Sequence, residues 1–147
     1  MTSNHHGNLL LADDRGLFII GPSGAGKTAL ALALLQHCAA NGRLARIVSD
    51  DQVFLAAAGG RLIGRAAPAI EGLAEARGFG PAPIAHERSA VIDLVIRLVC
   101  RDEAPRYQEG EAVFLEGIEL PRLDLAACGT EAAVLAIAAR LQLPPFG

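Results

Sequence analysis

The stretch Gly21-Pro22-Ser23-Gly24-Ala25-Gly26-Lys27-Thr28 follows the pattern G-x-x-x-x-G-K-[ST]. Its glycines let the backbone curl so that successive N–H groups point inward, a cradle for phosphate oxygens. Lys27 places an ammonium within reach of the β- and γ-phosphates, and Thr28 offers a hydroxyl to Mg²⁺. A helix that opens here turns its positive N-terminal end toward the same anion. A turn that merely joins a strand to a helix needs one or two glycines and has no use for Lys-Thr at the helix start. The stretch therefore reads as the binding site of a nucleoside triphosphate such as ATP, with Mg²⁺.

The neighbours on either side agree. Leu17-Phe18-Ile19-Ile20 is a short apolar run that reads as a buried strand. Thr28 to His37 is rich in Ala and Leu and reads as a helix that stops at Asn41-Gly42. Strand, glycine loop and helix predict an α/β fold: a phosphate-loop nucleotide-binding domain with a central, mostly β sheet flanked by helices. Gly7 to Leu11 and Gly16 to Ile20 read as two strands around a turn at 12–15. Leu44 to Ser49 reads as a strand leading into Asp50-Asp51; Val53 to Leu55 extends it, and Gly59-Gly60 is a hairpin turn before Arg61 to Arg65. Residues 67–81 are interrupted by Gly and Pro and predict a loop with at most a short helical turn. Ala90 to Cys100 predicts one buried strand. Glu116 to Leu120 predicts a short strand ended by Pro121, Thr130 to Leu141 a capped helix, and residues 143–147 a tail.

Bulk properties narrow the setting. A chain of 147 residues suggests one domain, residues 1–147, able to bury a core without staples. The formal charge is −3 with no basic run, and aromatics make up 4%, which argues against a nucleic-acid partner. No apolar stretch approaches the ~18 residues of a membrane span, and no basic head precedes an apolar segment at the N-terminus. Neither a membrane partner nor a secretory signal is therefore expected. Cys38, Cys100 and Cys128 are far apart and form no C-x-x-C pair, which reads as reduced thiols in a cytoplasmic protein.

The other candidate groups are carboxylates and a guanidinium. Asp50 and Asp51 follow an apolar strand, and ligands in α/β sheets bind at the carboxyl ends of strands. A carboxylate there binds Mg²⁺ or accepts a proton from an attacking hydroxyl. The competing reading is a solvated acidic turn, and adjacent residues on a strand face opposite ways, so only one would meet the phosphate. Asp93 lies inside its apolar run and is the poorer candidate. Glu75 and Arg77, with Gly78 and Gly80, form a second cluster. It reads either as a metal-supporting carboxylate with a charge-neutralising guanidinium, or as an exposed pair in a loop. His6, taken alone, carries no message.

In this order the pieces resemble the catalytic domain of the HPr kinase/phosphorylase family. The resemblance rests on His6-Gly7, on the phosphate loop, on Val48-Ser-Asp-Asp-Gln-Val53, on Glu75-Ala-Arg-Gly-Phe-Gly80 and on Gly117-Ile-Glu-Leu-Pro121. It spans nearly the whole chain and implies a minimal form, since full-length members carry an additional N-terminal domain. It implies an enzyme that moves a phosphoryl group from a nucleotide to a serine of the small phosphocarrier protein HPr. Many members also remove that group by phosphorolysis, releasing pyrophosphate. Carried over by position, Asp50 resembles the general base, with Asp51 its neighbour in the metal-binding pair. Thr28 and Glu75 resemble metal-supporting residues. Arg77 resembles the motif arginine and His6 the histidine near the phosphate site. Members are commonly hexameric, which implies a homo-oligomer. The residues alone leave two other readings open: a small-molecule kinase using the same loop and Asp50, and a nucleotide-sensing module without efficient turnover.

Overall fold

The apolar run ahead of the phosphate loop has no polar face because its strand is covered on both sides. The computed structural model describes residues 2–147; Met1 lies outside the described residues. Its first strands are β1 (Ser3–His6), β2 (Asn8–Ala12), β3 (Arg15–Ile20), β4 (Ala45–Ser49), β5 (Gln52–Ala58) and β6 (Arg61–Arg65). There follow β7 (Leu73–Ala76), β8 (Gly80–Pro83), β9 (Ser89–Val91), β10 (Leu94–Val99), β11 (Ala112–Leu115) and β12 (Ile118–Ala126). The helices are α1 (Lys27–Ala40) and α2 (Thr130–Leu141).

Six strands form the main sheet in the order β11-β12-β10-β3-β2-β4. Here β3, β10 and β12 run parallel, while β2 is antiparallel to both β3 and β4, so β4 runs the same way as β3. Successive side chains of a strand point to opposite faces. Leu10, Leu17, Ile19, Ile96 and Leu98 therefore pack with Leu30, Leu34 and Ile137 of the two helices. Leu9, Phe18 and Val95 face the other way, against Val53, Leu55 and Leu62 of a second sheet, β1-β5-β6-β9. The expected α/β domain with a central sheet is present; its two helices share one face, and the smaller sheet covers the other. No helix is long and apolar enough to cross a membrane among the described residues.

Several local readings hold for the reasons given. Gly59 and Gly60 both have positive φ, 58° and 78°, as a two-residue hairpin turn with the right twist requires. The helix α1 ends at Asn41-Gly42, where Gly42 N donates to Ala39 O at 3.3 Å and Arg43 N to Cys38 O at 2.8 Å.

Four readings need correction. Residues 67–81 are not merely loop: β7 and β8 pair as a ribbon, with Pro81 opposite Glu75 and Pro83 opposite Leu73. A two-stranded ribbon has a free edge on each strand, where a missing N–H costs no ladder bond. The single strand predicted from Ala90 to Cys100 is two. The chain leaves the small sheet after β9 and enters the main one at β10. At the crossing Asp93 clasps Gly16, its N–H donating to Gly16 O and its Oδ2 accepting from Gly16 N, both at 2.8 Å. Pro121 does not end a strand, because the parallel ladder with β10 begins only at Arg122. Nor is 143–147 a free tail: Leu143 is buried in the helical core, and His37 Nε2 meets Pro144 O at 2.6 Å. Strands β1 and β11 were not anticipated at all.

Candidate active site

The phosphate loop leaves β3 at Ile20 and enters α1 at Lys27. Gly26 stands at the helix entrance with φ 91°, a left-handed conformation that a side chain resists. Lys27 Nζ donates to Gly21 O at 2.9 Å and Pro22 O at 3.1 Å, which folds its ammonium back over the loop. The loop is braced from behind by the β12–α2 connection. There Cys128 N donates to Ala25 O at 2.9 Å and Cys128 Sγ lies 3.4 Å from Gly24 O. All three cysteines are free thiols. Beside the loop a cleft opens between Gly21-Pro22 and the end of β10 at Arg97, Val99 and Cys100.

Asp50 comes to this loop from the far side of β2. It follows β4, which is not adjacent to β3; β2 lies between. Because β4 runs the same way as β3, its carboxyl end still arrives at the same edge of the sheet. Asp50 Oδ1 accepts from Thr28 Oγ1 at 2.8 Å and from Asn8 Nδ2 at 2.6 Å. Its Oδ2 accepts from the backbone N–H of Glu75 at 2.7 Å. No cation pairs with Asp50 among the described residues. Its charge is thus held by neutral donors alone.

Asp51 turns the other way, though not by strand alternation, since β4 has ended at Ser49. It has φ 73°, and its N–H lies 3.4 Å from Asn8 Oδ1. Its exposed carboxylate is 3.8 Å from His6 Nδ1, which is also exposed. His6 thus meets Asp51 rather than the phosphate loop. The next residue, Gly7, donates to Asp51 O at 2.9 Å. A Cβ on Gly7 would lie 2.7 Å from Ile19 O, so the chain has room only for glycine at this crossing. Glu75 approaches Asp50 through its main chain while its side chain is exposed. Arg77 is exposed near the tip of the β7–β8 ribbon and enters no ion pair among the described residues.

The structure therefore joins Thr28, Asp50 and the Glu75 backbone directly. It sets Asp51 and His6 together at the rim and leaves Arg77 apart. No cluster of three His, Cys, Asp or Glu side chains that could hold a metal occurs among the described residues. The side-chain donors gathered at the loop are a hydroxyl and a carboxylate, hard oxygen groups of the kind that Mg²⁺ takes alongside substrate phosphates. Thr28 Oγ1 donates its hydrogen to Asp50 and keeps an oxygen lone pair for such an ion.

Sequence reasoning missed Asn8 and a second carboxylate, Asp124. Asn8 is 1% exposed inside the run Asn8-Leu-Leu-Leu-Ala12, and a polar residue there signals a partner. Asp124 on β12 receives Arg97 and Arg122, each through two hydrogen bonds of 2.8–3.0 Å. Burial pushes its carboxyl up, but hydrogen bonds from Arg122 and Arg97 outweigh this and hold it below the usual carboxylate range.

Among known proteins, the model of the HPr serine kinase C-terminal domain family matches residues 1–114. An HPr kinase/phosphorylase of Geobacter sulfurreducens is 32% identical over 136 residues, covering 84% of this chain and 41% of that protein. One from Caldanaerobacter subterraneus is 33% identical over 132 residues, covering 82% and 41%. The chain thus spans less than half the length of these relatives. The solved HPr(Ser) kinase/phosphatase from Coxiella burnetii matches with a TM-score of 0.79 at 23% identity, over 95% of this chain and 88% of that one, so the fold is shared.

Proposed function

The chain belongs to the HPr serine kinase C-terminal domain family, and on that premise we propose that it transfers a phosphoryl group to a serine of a small HPr-like phosphocarrier protein. The observation that carries this reading is the placement of Asp50. Its carboxylate is hydrogen-bonded to the phosphate-loop threonine and pairs with no cation among the described residues, at the edge of the sheet where the donor phosphates would lie. A serine hydroxyl is a poor nucleophile at neutral pH, and phosphoryl transfer depends on alignment and charge neutralisation more than on covalent help.

Each residue then has a part. The N–H groups of residues 21–28 cradle the phosphates of ATP, and Lys27 turns from its loop carbonyls to the β- and γ-oxygens. Mg²⁺, when bound with the nucleotide, neutralises charge on the phosphates. Thr28 Oγ1 would hold it, and the exposed carboxylates of Asp51 and Glu75 would support it. Asp50 takes the proton as the serine oxygen forms its bond to phosphorus and the bond from phosphorus to the leaving diphosphate breaks. His6 orients Asp51, and Arg77 at the ribbon meets the incoming phosphoryl charge or the carrier. In the reverse direction an oxygen of inorganic phosphate bonds to the phosphorus of the phosphoserine, the bond from phosphorus to the serine oxygen breaks, Asp50 passes the proton of the attacking phosphate to that oxygen, and pyrophosphate is released. On this reading the protein works in the cytoplasm, as a homo-oligomer.

The test is direct. The chain is incubated with Mg²⁺, γ-labelled ATP and purified HPr. Label is expected on one serine of the carrier, is lost in Asp50→Asn, and leaves as pyrophosphate when inorganic phosphate is added. Lys27→Ala is expected to lose ATP binding. ATP bound tightly with no label on the carrier would replace this reading with a nucleotide sensor, and label on a metabolite instead with a small-molecule kinase.

A further inference from the structure

Asn8 lies in β2 between Gly7 and Leu9, and its side chain is as buried as those of the core leucines. A buried carboxamide is costly unless its donors and its acceptor are met. Here they are met entirely by the residues around the proposed reaction. Nδ2 donates to Asp50 Oδ1 at 2.6 Å and to Thr28 Oγ1 at 3.3 Å, and Oδ1 faces Asp51 N at 3.4 Å. No buried side-chain polar atom lacks a partner among the described residues.

The lone pairs of Asp50 can then be assigned. A carboxylate offers about four acceptor sites, two on each oxygen. Thr28 and Asn8 occupy both sites on Oδ1, and the N–H of Glu75 occupies one on Oδ2. One site on Oδ2 is left.

We propose that Asn8 is a positioning residue: with Thr28 it saturates Oδ1 of Asp50 and locks the carboxylate plane, so that Oδ2 is the atom that receives the serine proton. The inference rests on Asp50 as the proton acceptor. It adds which oxygen acts and which residue fixes the choice. It also links the metal-binding hydroxyl to the base, since one amide group touches both Thr28 and Asp50. Asn8 is separated from these partners by 20 and 42 residues in sequence, so the link exists only in the folded chain.

Two measurements on the full chain test it. The first needs no turnover. In ¹⁵N spectra the Asn8 side-chain NH₂ pair, assigned by its disappearance in Asn8→Ala, is expected to exchange with water at least about tenfold more slowly than in Asp50→Ala, because that bond protects it. An Asn8 pair that exchanges like an exposed amide in the unaltered protein overturns the proposal. The second uses Mg²⁺, ATP and HPr. Asn8→Ala is expected to lower kcat by about 10- to 100-fold with the KM for ATP within about threefold, the signature of misplacing a reacting group. Asn8→Leu fills the space without the donor and is expected to match it; if that variant fails to fold, Asn8→Ala stands alone. The double variant Asn8→Ala/Asp50→Asn is expected to be no slower than Asp50→Asn, since the two act through one contact. An unchanged kcat in Asn8→Ala, a loss confined to KM, or additive losses in the double variant overturns the role of Asn8 while leaving Asp50 as the base. Full transfer by Asp50→Asn instead overturns the functional reading on which this one rests.

Discussion

Two carboxylates stand on either side of the phosphate-loop strand, each two strands away: Asp50 just past β4 and Asp124 on β12. Both are held by hydrogen bonds from protein donors, but by donors of opposite kind. Asp124 is gripped by two guanidiniums, each bidentate, with Arg97 directly opposite it on β10. Asp50 is held by a carboxamide, a hydroxyl and a backbone N–H. Arginine pairing neutralises a carboxylate and turns it into a strut. Neutral donors fix a carboxylate's direction and leave its charge available to a cation or a proton. The same residue type is thus a strut on one flank and, in the proposed function, the base on the other, and the donors distinguish the two.

The largest effect expected from this contrast is on turnover. Asp50→Asn should reduce phosphoryl transfer to HPr by about 10²- to 10⁴-fold, the range a general base contributes. ATP affinity should stay within about threefold, measured by titration calorimetry. Asp124→Asn, assayed in the same way below its unfolding temperature, should transfer within about threefold of the unaltered chain. Equal losses in the two variants would break the distinction.

The next effect is on stability and runs the other way. Removing the Asp124 charge takes the nearer carboxylate from Arg122, which keeps Glu111 at 3.8 Å, and the only ion-pair partner of Arg97 among the described residues. Because Arg122 is largely buried and Arg97 is 43% exposed, the cost should fall short of a fully buried pair, at about 1–3 kcal/mol in urea unfolding. Asp50→Asn keeps an acceptor for Asn8 and Thr28 and should cost less than Asp124→Asn.

The contrast also explains which parts could be read from the residues. The phosphate loop was legible because its glycines, Lys27 and Thr28 are contiguous and serve one ligand. Asp50 was legible as the end of an apolar strand, whereas the facing of Asp51 comes from its left-handed backbone past the end of β4, not from alternation. What fixes Asp50 was not legible, because Asn8 and the Glu75 N–H reach it across 42 and 25 residues. Asp124 was hidden for a similar reason: Arg97 lies 27 residues away, and an aspartate in a strand has no local marker of its partner. The β7–β8 ribbon was hidden because its glycines and prolines read as breakers, and only a strand with a free edge tolerates them. Arg77 shows the converse: its motif is legible, while its side chain makes no ion pair among the described residues.

Acid should erase the structural half of the comparison. The Asp124 carboxyl sits below its ordinary range in the folded chain, because the hydrogen bonds from Arg122 and Arg97 outweigh the opposing push of burial. A group with a lowered folded value contributes stability that is fully present above the unfolded value, about 3.9 for Asp, and is lost as pH falls through the folded value. The stability gap between the unaltered chain and Asp124→Asn should therefore be full at pH 6–7 and close progressively below about pH 4, followed by urea midpoints at each pH. A gap that stayed constant to pH 2.5 would mean that the guanidiniums do not hold the charged form.

The smallest expected effect tests whether the strut needs both of its arginines. Arg97 is 43% exposed and Arg122 only 15%, so water competes for the first pair more than for the second. Arg122 also bonds Ala112 O at 3.0 Å, which ties β12 to its edge strand, whereas Arg97 has no second partner among the described hydrogen bonds. Arg97→Ala should cost no more than about 1 kcal/mol, the range of an exposed pair, because Arg122 still neutralises Asp124. Arg122→Ala should cost more than Arg97→Ala, since it removes the drier pair and the edge-strand bond together. Thermal unfolding of the two variants side by side decides the order. The reverse order would place the grip on Asp124 in the register pair between β10 and β12, rather than in the buried guanidinium on its own strand.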